Sequence, residues 1–453
     1  MPVARADGRY ADPMASDEEF LGDLNEAMRD RPLDLTRADD RQLYVPVYDQ
    51  MPPEEDPVKL LANQIRRSRR SSTAHLFSGY KGSGKSTELR RLQTSLREAG
   101  YAVFYLDLET YLDLYTPVGI TDYLLDVAGA FDDTLREADS PLLHLDGPTL
   151  WERASGWLRS WEFAVDEFST EVGVDAGVKA TAALKLSLKE NPVFRRRLSE
   201  HLSHRLEVVV KEIHAFVGER ARAVAEQGSW SGVVLLVDST EKLDDTDSSG
   251  ERVKASVRTL FAQHARRLRF PGVHAVYSIP PDLQIREPQA LATNYDGAVL
   301  SLTAVTVERR VASGHEPYAA GIELLVDVLC RRHAEIGRLF ASPQTMEDLV
   351  RSSGGNLRNW LSLVRGDISR TFTVPASDRA VHGAFKQLAA ELKWLTTEEK
   401  AWLAPLLASG QPRLEDDSDR VRFAEFLDRQ VVLPYRNGED WFDLAPPVRE
   451  RLG

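Results

Sequence analysis

Gly79-Tyr80-Lys81-Gly82-Ser83-Gly84-Lys85-Ser86 satisfies the pattern GxxxxGK[ST] at every fixed position and follows the short apolar run Ala74 to Phe77. Glycines at 79, 82 and 84 let the backbone curl until successive amide N–H groups converge on one anion. A helix that follows adds the positive end of its dipole. In a loop of this kind Lys85 reaches the β and γ phosphates of a nucleoside triphosphate and Ser86 ligates magnesium, while Tyr80, Lys81, Ser83 and Thr87 complete the lining. A glycine-rich turn before an ordinary helix could show the same letters, so the flanks decide. From Thr87 onward, Leu89, Leu92, Leu96 and Ala99 recur at three, four and three, which is one face of a helix stopped by Gly100. Ala102 to Leu106 then reads as a buried parallel strand ending at Asp107. Strand, loop, helix, strand is the unit in which this pattern works.

The 453 residues exceed one compact core and suit roughly two to four domains. A composition of 42% hydrophobic and 28% charged residues is that of a soluble globular protein. No apolar run approaches the length of a membrane span, and MPVARADGRYADPM at the N-terminus lacks the apolar centre of a signal peptide. A single cysteine, Cys330, cannot form an internal disulfide, which suits a reducing cytoplasm. The net charge of −13 argues against broad nucleic-acid binding. Arg66, Arg67, Arg69 and Arg70 could form a local basic patch. They also end a helical pattern set by Val58, Leu61, Ala62 and Ile65, where the helix dipole favours cations.

A second acidic strand narrows the chemistry. Val233 to Val237 is five apolar β-formers in a row, ending in Asp238 and followed by Ser239, Thr240 and Glu241. This reads as a Walker B strand, with Asp238 at its C-terminal end to hold the magnesium shell beside Ser86. Glu241 is the best-placed carboxylate to polarise an attacking water, with Asp244 and Asp245 as competitors. A further strand, Val273 to Ile279, is closed by Pro280-Pro281 and carries Ser278 near its end. Where an extra strand lies between the phosphate loop and Walker B strands, such a residue faces the γ-phosphate; Ser278 fits that sensor role, though serine is also a common turn residue. Val299 to Val307 supplies a fifth strand.

More than a hundred residues separate Asp107 from Val233, so the core carries an insertion at about 113–230. Alternating apolar residues from Val172 through Ala180, Ala182, Leu184, Leu186 and Leu188 predict a long strand or β-hairpin turning near Asp175 to Gly177. Phe194, Leu198, Leu202, Leu206, Val209, Ile213 and Phe216 then predict one long amphipathic helix. The insertion could recognise a partner or brace the sheet.

After residue 310 helical patterns take over. Ile322, Leu325, Val326 and Leu329 mark one helix, and Ser342-Pro343 reads as an N-cap with proline at the first helical position. In SGGNLRNWLSLVR, Gly354 and Gly355 break the chain, Asn356 can cap, and Arg358 lies in the first turn of a new helix. The last segment reads as a winged helix. Helices at Glu398 to Leu407 and Arg422 to Arg429 precede strands Val431 to Tyr435 and Trp441 to Leu444, which flank the turn Asn437-Gly438. From Thr396 to Gly453 there are eight Lys and Arg against twelve Asp and Glu, the opposite of a phosphate-contacting surface.

A phosphate loop, a Walker B strand, a polar sensor strand and a GGxxR-type helix start, in this order, resemble the AAA+ and STAND superfamilies of ATPases. Origin-recognition-like proteins and bacterial STAND regulators are the nearest, over roughly residues 40–375. The resemblance implies a sensor 2 role for Arg358, reaching the phosphates and reporting their loss. Arg309 and Arg310 lie near the expected place of an arginine finger without forming a persuasive one. The fold expected is α/β: a P-loop core with a parallel five-stranded sheet, a helical insertion carrying a β-hairpin, a helical lid and a C-terminal winged-helix domain. Its expected parts are an N-terminal arm, either mobile or a docking peptide (1–40), the core (41–310), the lid (311–375) and the winged helix (376–453). Val45 and Tyr48 would wall the adenine.

These residues predict an ATPase with ATP and Mg2+ as cofactors. It would be a molecular switch whose lid closes on ATP and which couples nucleotide state to a protein partner or to self-assembly. The STAND resemblance suggests prokaryotic signalling or defence. A DNA-acting ATPase, such as a loader or transposition regulator using its winged helix, is the alternative. A small-molecule kinase would share the phosphate loop but leave Arg358 unexplained.

Overall fold

The computed structural model describes residues 13–49, 52, 54–68, 72–113, 115–137, 147–161, 180–240, 250–311, 314–391 and 395–452. Two compact units emerge, one comprising Pro57–Ser78 with Glu88–Ser301, the other Met1–Asp56, Gly79–Thr87 and Leu302–Gly453. No helix among the described residues is long and apolar enough to cross a membrane.

In the first unit, β1 (Thr73–Gly79), β2 (Ala102–Asp107), β3 (Val233–Asp238), β4 (Val273–Ile279) and β5 (Leu300–Leu302) form one sheet in the order β2-β3-β4-β1-β5. The pairs β1–β4, β2–β3 and β3–β4 are parallel. Runs such as Val233 to Val237 are buried on both faces, as parallel strands covered by helices must be, and each such side chain contributes about 1.5–3 kcal/mol gross. β4 therefore lies between β1 and β3, the position expected of the sensor strand. β5 is shorter than the Val299 to Val307 pattern suggests. Leu89, Leu92 and Leu96 of the Lys85–Glu98 helix are buried, in line with their spacing.

The insertion differs from the reading of its sequence. Ala180–Glu190 is a helix, not the second arm of a hairpin; residues 172–179 lie outside the described residues. Leu184, Ser187 and Leu188 are buried there at spacings of three and one, a helical face. Alternation of leucine with lysine and serine suits either period over so short a run. The single long helix is two, Pro192–Ser203 and Leu206–Gln227, interrupted at His204 and Arg205. The apolar face was nonetheless read correctly, with Phe194, Leu198, Leu202, Val209, Ile213 and Phe216 all buried.

The Ile120–Glu137 helix is buried on almost every side and takes Asp122, Asp126 and Asp132 inside with it. Asp132 is bonded by Arg220 at 2.9 Å, by Arg136 at 3.2 Å and by the Leu150 amide at 3.0 Å. Burial pushes the Asp122 carboxyl up to about 6, with the nearby Arg195 charge pulling the other way, and it drives Asp126 up as well. Both would be ionised in the unfolded chain above about pH 4. The folded state thus binds more protons than the unfolded one from about pH 4 to 6, and stability falls as pH rises through that window. Ionising Asp122 in place costs on the order of 3 kcal/mol, at about 1.4 kcal/mol per unit. Asp122→Asn is expected to gain stability relative to wild type between pH 4 and 7, as urea midpoints at the two pH values will show; equal gaps would refute the assignment.

In the second unit Pro13–Ala27 is a helix, and Phe20, Leu24 and Met28 are buried at intervals of four. Acidic neighbours on the other face hide that stripe from a composition-based view. The Ala319–Arg332, Pro343–Ser352 and Leu357–Ile368 helices follow the expected pattern, with Ser342 accepting a hydrogen bond from the Thr345 amide and Asn356 accepting one from the Asn359 amide. Beyond them come the Asp378–Glu391, Thr397–Ser409 and Asp417–Asp428 helices and the antiparallel pair β8 (Val432–Asn437) and β9 (Glu439–Leu444), turning at Gly438. A smaller hairpin, β6 (Glu308–Val311) with β7 (Gly314–Pro317), is held to both neighbouring segments through Glu308, which accepts from Arg351 at 2.6 Å and Arg449 at 2.5 Å.

Candidate functional site

The loop after β1 is built as its glycines require. Gly82 and Gly84 adopt φ of 84° and 87°, the left-handed region closed to most side chains, and the Ser83 amide bonds the Tyr80 carbonyl at 3.0 Å to close the turn. A Cβ on Gly82 would lie 2.5 Å from both Asn356 Oδ1 and Arg358 Cβ, so the start of the Leu357–Ile368 helix sits directly on the loop. Two amide side chains hold the Lys81 carbonyl: Asn356 Nδ2 at 3.0 Å and Gln430 Nε2 at 2.7 Å. Across a trans peptide the next N–H points the opposite way, so this grip turns the Gly82 N–H away from the two amides.

Lys85 is nearly buried, and its Nζ donates to the Gly79 carbonyl at 2.6 Å, folding back over its own loop. Ser83 Oγ is buried with no hydrogen-bond partner among the described residues. Ser86 is half-buried, and Thr87 Oγ1 accepts from the Leu33 amide at 3.0 Å. Tyr48, expected at the adenine, is buried and donates to the carbonyls of Ser83 (3.1 Å) and Thr303 (2.9 Å), bracing the loop from behind; Val45 is buried nearby in sequence. Arg358 places its backbone at the loop, but its guanidinium pairs with Asp30 at 2.6 Å. Arg309 stacks over Tyr318 and Arg310 donates to the Leu407 carbonyl, so both are engaged within the chain.

In the sheet unit, β2 and β3 run in register, with Asp107 beside Asp238. Asp238 is 1% exposed. One carboxylate oxygen, Oδ2, accepts from the Tyr105 hydroxyl, while Oδ1 is buried without a hydrogen-bond partner among the described residues. Ser239 takes a φ of 71°, rare for a residue with a side chain, and its hydroxyl donates to Asp107 Oδ1 at 2.6 Å. Thr240 pairs with the Tyr123 hydroxyl at 3.0 Å. The chain leaving β3 is thus fixed by partners from β2 and from the Ile120–Glu137 helix. Glu241, Asp244 and Asp245 lie outside the described residues. Ser278 is fully buried in β4, in register with Phe77 of β1.

Asp238 Oδ1, a buried carboxylate oxygen with no partner among the described residues, is a hard oxygen of the kind magnesium prefers. An uncompensated buried carboxylate oxygen is costly, by about 1–3 kcal/mol, and such atoms are found where an ion or water belongs. Sequence reasoning missed Gln430, for which no local signal exists, and Tyr105. The latter was within reach, since residues two apart on a strand share a face and Asp107 marks that face.

No family model matches the chain, and no curated protein matches it. Among solved structures it is similar to the Aeropyrum pernix ORC2 protein solved as ADPNP–ADP complexes, at 12% identity over 91% of this chain and 95% of that one, with a TM-score of 0.40. The ADP form of the same protein gives 13% identity over 92% and 96%, with a TM-score of 0.38. Cdc6p from Pyrobaculum aerophilum gives 12% identity over 91% and 97%, with a TM-score of 0.35.

Proposed function

We propose that this chain is an ATP-dependent molecular switch of the AAA+/STAND kind. The observation that carries the reading is the loop Gly79–Thr87, with two left-handed glycines, two lysines and the hydroxyls of Ser83, Ser86 and Thr87, on a chain whose β3 ends in a buried aspartate with one oxygen unpartnered among the described residues. Gly79, Tyr80, Lys81, Gly82, Ser83 and Gly84 would cradle the phosphates with their backbone, Lys85 would supply the positive charge, and Ser86 and Asp238 would hold the ion. Magnesium, when bound, neutralises charge developing on the phosphates. Glu241 is proposed as the residue that orients the attacking water and Ser278 as the polar group sensing the γ-phosphate.

The switch follows from what holds the loop. Asn356 caps the Leu357–Ile368 helix with Oδ1 and grips Lys81 with Nδ2, while Gln430 reaches the same carbonyl from the proposed winged helix. Any rearrangement of the loop on phosphate binding must be felt by both. Arg358 would exchange Asp30 for phosphate, releasing or recruiting the N-terminal segment, and the resulting motion would be read by a protein partner. The DNA-acting alternative fits the same observations, although Glu415, Asp416, Asp417 and Asp419 at the start of the Asp417–Asp428 helix would repel a phosphate backbone there.

Phosphate release from wild type and Glu241→Gln tests this. Wild type should hydrolyse ATP slowly, and the variant should bind it without turnover. If both bind and neither hydrolyses it, the switch operates by binding alone; if neither binds, the proposal is wrong.

A further inference from the structure

The Tyr105 hydroxyl spends its hydrogen on Asp238 Oδ2 and leaves Oδ1 buried and without a partner among the described residues. The ring is itself held in place. The Arg90 guanidinium lies 3.4 Å above its centroid and is tethered to Gln93 Oε1 at 3.0 Å. β2 and β3 pair with Tyr105 opposite Leu236, two positions before the Asp107–Asp238 pair, so the phenol must reach along the strand direction to meet the carboxylate. A free carboxylate would rotate about its last torsion and present either oxygen; a single strong donor on one of them removes that freedom.

We propose that Tyr105 is a positioning residue for Asp238: by occupying Oδ2 it commits Oδ1 to the magnesium of the bound nucleotide. This rests on the Mg·ATP reading above. In this role Tyr105 acts only through Asp238, its hydrogen-bond partner. Its place is that of an outer-sphere partner orienting a ligand, and loss of such partners weakens metal binding while leaving the ligand residue intact.

The test follows ATP binding by the full chain across a Mg2+ titration and in EDTA, for wild type, Tyr105→Phe, Asp238→Asn and the double variant. Phenylalanine keeps the ring beneath Arg90 and removes only the hydroxyl. Tyr105→Phe should raise the Mg2+ concentration at half-saturation by about tenfold or more, as outer-sphere changes do, and should leave binding in EDTA unchanged. With Asp238 already replaced, it should add nothing, the non-additivity of two residues acting as one. A Tyr105→Phe titration that overlays wild type, an equal loss in EDTA, or full additivity with Asp238→Asn would each overturn the role while leaving the Mg·ATP reading standing. Wild type that binds no nucleotide, or binds equally well without Mg2+, would overturn the reading and this role together.

Discussion

Lys85→Ala should bind Mg·ATP between about ten and a hundred times more weakly than wild type, the equivalent of about 1.5–3 kcal/mol for a hydrogen bond to a charged group. Isothermal calorimetry on both proteins reads this directly. The geometry of the loop sharpens the expectation. Nζ is parked on the Gly79 carbonyl at 2.6 Å, in a nearly buried position, and no other lysine of the loop shares that burial, since Lys81 is exposed. Binding would exchange the bond to Gly79 for contacts with a polyanion, which alanine cannot make. Unchanged heat with Lys85→Ala would mean that the loop does not bind phosphate through this side chain, and the proposed chemistry would fall with it.

Gly355→Ala should cost about 2–5 kcal/mol of stability in the unit that contains it. The residue adopts φ of 75°, where a side chain costs about 1–2 kcal/mol, and a Cβ there would overlap the Val305 carbonyl, adding about 1–3 kcal/mol of overpacking. Relief by backbone movement is blocked on both sides. The Gly355 carbonyl accepts from the Val305 amide at 3.0 Å, and the next residue is the helix cap. Gly337→Ala makes a fair control, because a Cβ there meets nothing within 4 Å, and it should stay within about 0.5 kcal/mol. Equal denaturant midpoints for the two variants would show that the Gly355 packing is looser than described.

What the sequence made legible follows the range of the interactions involved. The loop, the Leu89-Leu92-Leu96 face, the fully apolar β3 and the caps at Ser342 and Asn356 are all written within a few residues of where they act, and the structure has them in those places. Residues 180–188 failed for the opposite reason. Their alternation is compatible with two periods, and only packing selects the helical one. The Pro13–Ala27 helix was hidden because acidic residues separate its apolar ones, while Phe20, Leu24 and, just past its end, Met28 are buried four apart. Gln430 could not be found at all, since it meets a carbonyl 349 positions away in the chain. Tyr105 and Asp238, 133 positions apart, required the β2–β3 register before their meeting could be seen.

The double grip on Lys81 bears on how this protein should be dissected. A fragment trimmed to the sheet and its helices would keep every letter of the glycine-rich motif yet lose the two carboxamides that orient it. Weak nucleotide affinity in such a piece would reflect the surgery rather than the native molecule. Limited proteolysis that removes the chain from Gln430 onward would blunt the N-terminal motif in the same way, by removing support from a distance.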